Sequence, residues 1–256
     1  MTDSTHRFSN RVDDYIRYRP SYPPAIVDVL VQECGLALDW TIADIGAGPG
    51  NLTRLFLDHG NAVVGVEPNR EMREAGERLL AGDPRFASVE GTAEATGLPA
   101  ASVDLVAAGQ AFHWFDAARA RDEFVRIVRP PRWVALIWNE RRVGATPFLA
   151  AYEDLLLRHG SDYSAVRHQD TASDDKIAAF FGSGGYRLTT FANQQSFDLA
   201  CLQGRVRSSS YVPLPGEPGF DELAAGLERI FADHQTDGVV SFDYDTRLYL
   251  GTLDLA

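Results

Sequence analysis

Between residues 42 and 53 the chain reads Ile42-Ala43-Asp44-Ile45-Gly46-Ala47-Gly48-Pro49-Gly50-Asn51-Leu52-Thr53. A short apolar run carries one acid and breaks into a glycine-rich turn. Glycines there let the backbone take positive φ and let a ligand approach with no Cβ in the way. Leu52, Leu55 and Phe56 follow at helical spacing, so the N–H groups opening that helix would suit an anionic group. About 21 residues after Gly46, a second apolar run, Ala62 to Val66, ends in Glu67. A carboxylate at the end of a second strand can accept both hydroxyls of a ribose.

A second chemical cluster is Gly109-Gln110-Ala111-Phe112-His113-Trp114-Phe115-Asp116, which follows the apolar run Val103 to Ala108. The end of a central strand opens on the cleft where doubly wound sheets bind ligands. His113 is the one candidate general base, because imidazole titrates near neutrality; a structural hydrogen bond is its alternative role. Trp114 offers an aromatic wall, and Gln110 and Ala111 offer amide or backbone groups.

Glycine spacing separates the candidate ligands. A dinucleotide loop of the form G-x-G-x-x-G would need glycine at position 51, where this chain has Asn51. The pattern G-x-G-x-G, preceded by Asp44 and answered by Glu67, resembles the class I S-adenosylmethionine-dependent methyltransferases, in particular the small-molecule type 11 group. The resemblance covers about residues 8–140. It implies an α/β fold, a doubly wound seven-stranded sheet that is parallel except for one antiparallel strand, with a helical lid. It also implies S-adenosylmethionine as cofactor and S-adenosylhomocysteine as product.

Carried over residue by residue, the resemblance assigns the cofactor to Asp44, Gly46, Ala47, Gly48, Gly50 and Asn51 in the loop. Glu67, Pro68 and Met72 follow the second strand, and Thr92, Ala93 and Glu94 form the adenine-side loop. Gln110 and Ala111 complete the set. An N-terminal arm rich in tyrosine and arginine, Phe8 to Pro24, would fold over the cofactor, bringing Tyr18 and Arg19 to it. Tyr15, His113, Trp114, Trp138 and Asn139 would face the acceptor. Relatives turn through Pro-Gly-Gly before the fifth strand; here Pro130-Pro131-Arg132 stands there, which should stiffen that turn. Methyltransferases acting on base or amide nitrogens often carry polar-Pro-Pro-aromatic where this chain has Gly109-Gln110-Ala111-Phe112, which disfavours that substrate class.

Periodicity supplies the elements that would hold these groups. Pro23-Pro24 opens a helix to Glu33, Phe86 to Glu90 reads as a strand, Ala117 to Arg129 as a helix, and Trp133 to Trp138 as a fifth strand. Pro147 to His159 and Ser173 to Phe181 read as helices of a lid spanning 141–184. Residues 1–140 would then form the cofactor core with its arm. Residues 185–256 would complete the sheet through a strand Tyr186 to Asp198, helices Leu199 to Ser210 and Phe220 to His234, and an antiparallel edge strand Val239 to Leu253.

At 256 residues the chain can bury one large core with an elaboration. Its net charge of -12 divides equally between residues 1–140 and 141–256, so composition implies no nucleic-acid partner. Cys34 and Cys201 lack metal-ligand spacing, and no metal is expected. The polar stretch Met1 to Asn10 has no signal-peptide core, and no apolar run of about 18 residues appears. A cytoplasmic protein with a small-molecule acceptor and no membrane partner is expected, as monomer or homodimer. The acceptor atom, oxygen or carbon, is open. Alternatives are a nicotinamide-dependent oxidoreductase, a macromolecule methyltransferase, and a non-catalytic S-adenosylmethionine-binding protein.

Overall fold

The computed structural model describes residues 11–160, 163 and 174–254. Met1 to Asn10 and the polar loop expected between the two lid helices lie outside the described residues. Seven strands, β1 (Thr41–Ile45), β2 (Ala62–Val66), β3 (Phe86–Val89), β4 (Val103–Gly109), β5 (Val128–Arg141), β6 (Tyr186–Phe197) and β7 (Val240–Thr252), form one sheet in the order β3-β2-β1-β4-β5-β7-β6. β1 to β5 pair in parallel, and β7 runs antiparallel to both of its neighbours. Strand order reverses between β1 and β4, and a crevice opens there beyond the strand ends.

Side chains alternate across the strands and fill two layers. On one face Ile42, Leu105, Ala107 and Ile137 meet Ile26, Leu30 and Phe56 of α2 (Ala25–Cys34) and α3 (Asn51–His59). On the other, Ile45, Val106, Leu136 and Trp138 meet Phe124, Ile127, Ile177 and Phe180 of α5 (Ala117–Ile127) and α7 (Asp174–Phe181). Each such side chain contributes about 1.5–3 kcal/mol by burial, so these two layers fix the sheet against which the crevice is built. α4 (Arg70–Leu80) caps itself with Asn69, whose side chain accepts from the Met72 N–H.

Three expectations are corrected. The fifth strand is much longer than Trp133 to Trp138, and it takes the last two residues of the expected helix. It absorbs Pro130-Pro131 because residues 129–132 have no partner in the sheet, so prolines there remove no ladder hydrogen bond. β7 is not an edge strand: β6 covers it along its whole length, from Tyr186↔Gly251 to Phe197↔Val240. Alternation reports exposure of one face and says nothing of position within a sheet.

The lid also divides. α6 (Pro147–His159) joins α8 (Leu199–Arg207) and α9 (Phe220–His234) in a third apolar cluster around Phe242, where β6 and β7 run beyond the rest of the sheet. α7 instead packs on α5, with the Phe180 ring 4.8 Å from Phe112 and 5.9 Å from Phe124. Among the described residues the cap is therefore built from α6, α8 and α9, and it crosses the expected boundary at 184. α1 (Val12–Tyr18) is clipped to it: the Arg11 guanidinium donates to the carbonyls of Arg207, Ser209 and Val212, and Arg207 pairs with Asp14. Among the described residues no helix is long and apolar enough to cross a membrane.

Candidate cofactor and acceptor site

The glycine loop leaves β1 at Gly46, whose N–H and that of Ala47 both donate to the Val66 carbonyl. Gly46 has φ 71, and a Cβ there would stand 2.6 Å from the Ala111 Cβ. Glycine thus lets the ends of β1 and β4 close up. Gly48, at φ 55, faces open space. Gly50 serves the helix rather than the crevice. At φ 94 it caps α3, and a Cβ would strike Leu80 at 2.6 Å. It does not line the crevice, so its expected cofactor contact becomes a packing role.

Glu67 holds this loop. Its Oε2 accepts from the Gly48 N–H and its Oε1 from the Asn69 N–H, each at 2.8 Å. Burial pushes its pKa up, and these amides offset only part of that rise. Each oxygen keeps acceptor capacity for a hydroxyl.

The crevice is a trough of two compartments that share Tyr15, Gly46, Gly48, Gly109 and Gln110. One is walled by Glu67, Pro68, Asn69, Met72, Thr92, Ala93, Glu94, Ala111, Trp114 and Phe115. The other is walled by Arg19, Pro20, Tyr22, Asp44, Ala47, Pro49, Asn51, Leu52 and Asn139. Sequence reasoning missed Asn69, Phe115, Tyr22 and Gly109. Only Gly109 carried a signal, because a glycine interrupts a strand where backbone or ligand comes close. A Cβ on it would meet the Tyr22 hydroxyl at 2.4 Å.

The adenine-side loop is pinned from α5. Thr96 donates its N–H and hydroxyl to Glu123 Oε1 at 2.9 and 2.6 Å, and Arg126 donates to Glu123 and to the Leu98 carbonyl. Glu94 accepts from the Asp116 N–H at 2.8 Å, tying the loop to the start of α5. Desolvation would raise the Glu123 pKa, but the Arg126 and Thr96 bonds win and bring it to about 2.

Asp44 and Arg19 give the second compartment its chemistry. Thr53 Oγ1 donates to Asp44 Oδ2 at 2.7 Å, while Oδ1 is buried without a donor among the described residues. Burial lifts this carboxyl to about 7. Arg19 donates one N–H to the Ser208 carbonyl and lies 5.0 Å over the Tyr15 ring, and its Nε is buried without an acceptor. A buried acid and a half-buried arginine, each with a buried atom unsatisfied among the described residues, fit a ligand carrying an ammonium and a carboxylate. Together with Glu67 further along the trough, the donor set fits an amino-acid nucleoside.

Several expected contacts land elsewhere. Tyr18 is turned into the cap, with its ring where a Cβ on Gly204 of α8 would be, 2.0 Å away. Tyr15 on α1 and Arg19, the extended residue that ends it, line the trough, while Tyr18 packs into the cap cluster. Trp138 is 1 % exposed and packs edge-on to Phe112 and Tyr249 in the core, because inward and outward alternate along β5. Its neighbour Asn139 does line the trough, and trades hydrogen bonds with the Gln110 amide through its backbone. The His113 ring lies tilted against Trp114, centroids 4.6 Å apart, and is not among the residues lining either compartment. Trp114 is the wall, and His113 stands beside it.

Comparison with known proteins supplies the family. The methyltransferase-domain family model, type 11, matches residues 43–136. An uncharacterized methyltransferase of Schizosaccharomyces pombe is 37% identical over 228 residues, covering 87% of this chain and 86% of its own. The chain belongs to the methyltransferase family. An uncharacterized methyltransferase of Mycobacterium tuberculosis is 40% identical over 139 residues, a match that spans 54% of each chain. The chain thus aligns with about half the length of that relative. A solved structure described as a type II methyltransferase of Anaeromyxobacter dehalogenans superposes with a TM-score of 0.70 at 24% identity, over 93% of this chain and 100% of that one. The last likeness establishes the shared fold.

Proposed function

We propose that the chain transfers a methyl group from S-adenosylmethionine to oxygen or carbon of a small-molecule acceptor. The observation that carries this reading is the pairing of Asp44 and Arg19, each with an unsatisfied buried atom, at one end of a trough that holds Glu67 further along. Asp44 would take the ammonium, Arg19 the carboxylate and Glu67 the ribose hydroxyls. Thr92 to Glu94 and Met72 would border the adenine. When bound, the cofactor supplies a methyl carbon on a positively charged sulfur; the acceptor's electron pair forms the new bond as the carbon–sulfur pair returns to sulfur, leaving S-adenosylhomocysteine.

The residues have mainly to position and to exclude water, which can supply a large share of such a rate. Tyr15 and Trp114 border the trough from the arm and from the turn after β4. The Gln110–Asn139 contact braces the ends of β4 and β5 against each other. His113 remains the candidate base for an acceptor that must lose a proton, and its place outside the lining residues gives it the weaker claim to touch substrate. Thermal denaturation with S-adenosylmethionine, S-adenosylhomocysteine and NAD, each in millimolar excess, tests the reading. Stabilisation by the first two alone supports it, and stabilisation by NAD alone replaces it with the oxidoreductase.

A further inference from the structure

Beneath the cap, next to Arg19, the chain buries more positive charge than it neutralises. Arg141 pairs with Glu153 and has the Tyr163 hydroxyl as a neighbour at 2.7 Å. Arg205, on α8, is 5 % exposed and has no carboxylate within 4.0 Å among the described residues. Its partners are hydroxyls: Ser208 and Ser209 at 3.4 and 3.1 Å, with Tyr244 beside them, and its Nε has no acceptor among the described residues. The hydroxyl of Tyr152, in the same cluster, also has no partner among the described residues. Burying an unpaired cation among neutral groups is costly, and the Phe242 ring, 6.0 Å from the Arg205 guanidinium, is no counter-charge.

The charges here act on one another. Burial, and after it the charge of Arg205, lowers the pKa of Arg19. Desolvation would raise the Tyr211 phenol, yet Arg141, Arg205 and Arg19 together bring it below its usual value. The cluster is thus electropositive enough to offset the desolvation of a buried phenol. It also adjoins the trough, since Arg19 lines the Asp44 compartment and shares the Ser208 end of α8 with Arg205. If Arg19 serves the cofactor's carboxylate, Arg205 still lacks an anion.

We propose that the methyl acceptor is a small organic anion, its carboxylate or phosphate held by Arg205 and Tyr211 beside Arg19, with another atom of the same molecule presented to the trough. This rests on the methyltransferase reading and adds the substrate class to it. An oxyanion accepts several hydrogen bonds at once, and the planar guanidinium suits it better than water does. Because Arg19 and Tyr15 stand between Arg205 and the glycine loop, the bound anion is an anchor and not the accepting atom.

The test uses the full chain with S-adenosylmethionine and follows S-adenosylhomocysteine release. The panel pairs aliphatic mono-, di- and tricarboxylates, aryl carboxylates and phosphate monoesters with the neutral amide or alcohol of each. An acid turned over at least about 100-fold better in kcat/KM than its neutral partner supports the proposal, and the arm that responds tells carboxylate from phosphate. Arg205→Gln should raise KM for that acid about 100-fold and Arg205→Lys about tenfold, with cofactor affinity within about twofold of the parent. Should Arg205→Gln fail to fold, Arg205→Lys and Tyr211→Phe carry the same comparison. Equal turnover of acid and amide overturns the proposal. So does a panel in which no acid stabilises the S-adenosylhomocysteine-loaded protein more than its neutral partner. Failure to bind S-adenosylmethionine at all strikes the methyltransferase reading itself.

Discussion

Thr53 Oγ1 donates to one oxygen of the Asp44 carboxylate, at 2.7 Å, and the other oxygen of that buried acid meets no donor. The geometry leaves Asp44 half-solvated by the protein, and burial therefore carries its pKa from the usual carboxylate range up to about 7. The folded chain holds a proton that the unfolded chain has released, so stability is fully present below about pH 4 and declines as pH rises toward 7.

Asp44→Asn removes that decline. An asparagine can still accept the Thr53 hydroxyl, and it carries no charge to desolvate. The variant should melt a few degrees higher than the parent at pH 8, on the order of 1 kcal/mol or more, and match it near pH 4. Its affinity for S-adenosylmethionine should fall at least about tenfold, as the ammonium loses its counter-charge. Thermal melts across pH together with equilibrium binding check both halves.

Gly46 and Gly48 should fail in different ways. Gly46→Ala sets a methyl 2.6 Å from Ala111 Cβ in a tight corner at φ 71, and overpacking of that kind costs about 1–3 kcal/mol. Gly48→Ala meets nothing within 4 Å, so it carries only the positive-φ strain of about 1 kcal/mol. It intrudes into the trough, however, and should abolish cofactor binding in a protein that remains folded. Urea denaturation curves beside binding curves for the two variants would separate these effects.

The trough was the legible part of the sequence. Glu67, the glycine turn and Thr92 to Glu94 could be found because each sits at a strand end, and strand ends are marked by where an apolar run stops. What lay across from those ends was legible only in part. Tyr15 and Tyr18 look alike in sequence, and only packing against Gly204 decides which faces the cap. Trp138 and Asn139 are neighbours on a strand buried on both faces, and composition does not say which one turns inward. Asn69 and Glu123 serve as a helix cap and a loop anchor, roles that depend on partners 3 and 27 residues away. The cap escaped recognition because α6 and α8 are joined only by tertiary packing around Phe242.

Glu67→Ala should loosen the loop it braces. Two amides, those of Gly48 and Asn69, lose their acceptor, at a cost of about 1–3 kcal/mol for the buried one left unpaired. Amide hydrogen exchange should accelerate at both positions while β4 and β5 remain protected. Unchanged exchange at Gly48 would contradict the bracing role.

Glu123 gives an acid-side signature. Its pKa of about 2 lies below that of a free glutamate because Arg126 and Thr96 hold the ionised form. The stability it contributes is present above about pH 4.5 and is lost as pH falls toward 2. Glu123→Gln should be less stable than the parent at pH 6, and the gap should close progressively on acidification. A constant gap down to pH 2 would mean that the charge is not what matters.

The most direct measurement is a calorimetric titration of the full chain with S-adenosylmethionine at pH 7, repeated in two buffers of different ionisation enthalpy. Asp44, titrating at about 7, should lose its remaining proton when an ammonium arrives. One site per chain is therefore expected, with a net release of roughly half a proton, and with affinity at least about tenfold weaker and proton release lost in Asp44→Asn. Absence of saturable heat with millimolar S-adenosylmethionine, or binding indifferent to Asp44, would contradict the account.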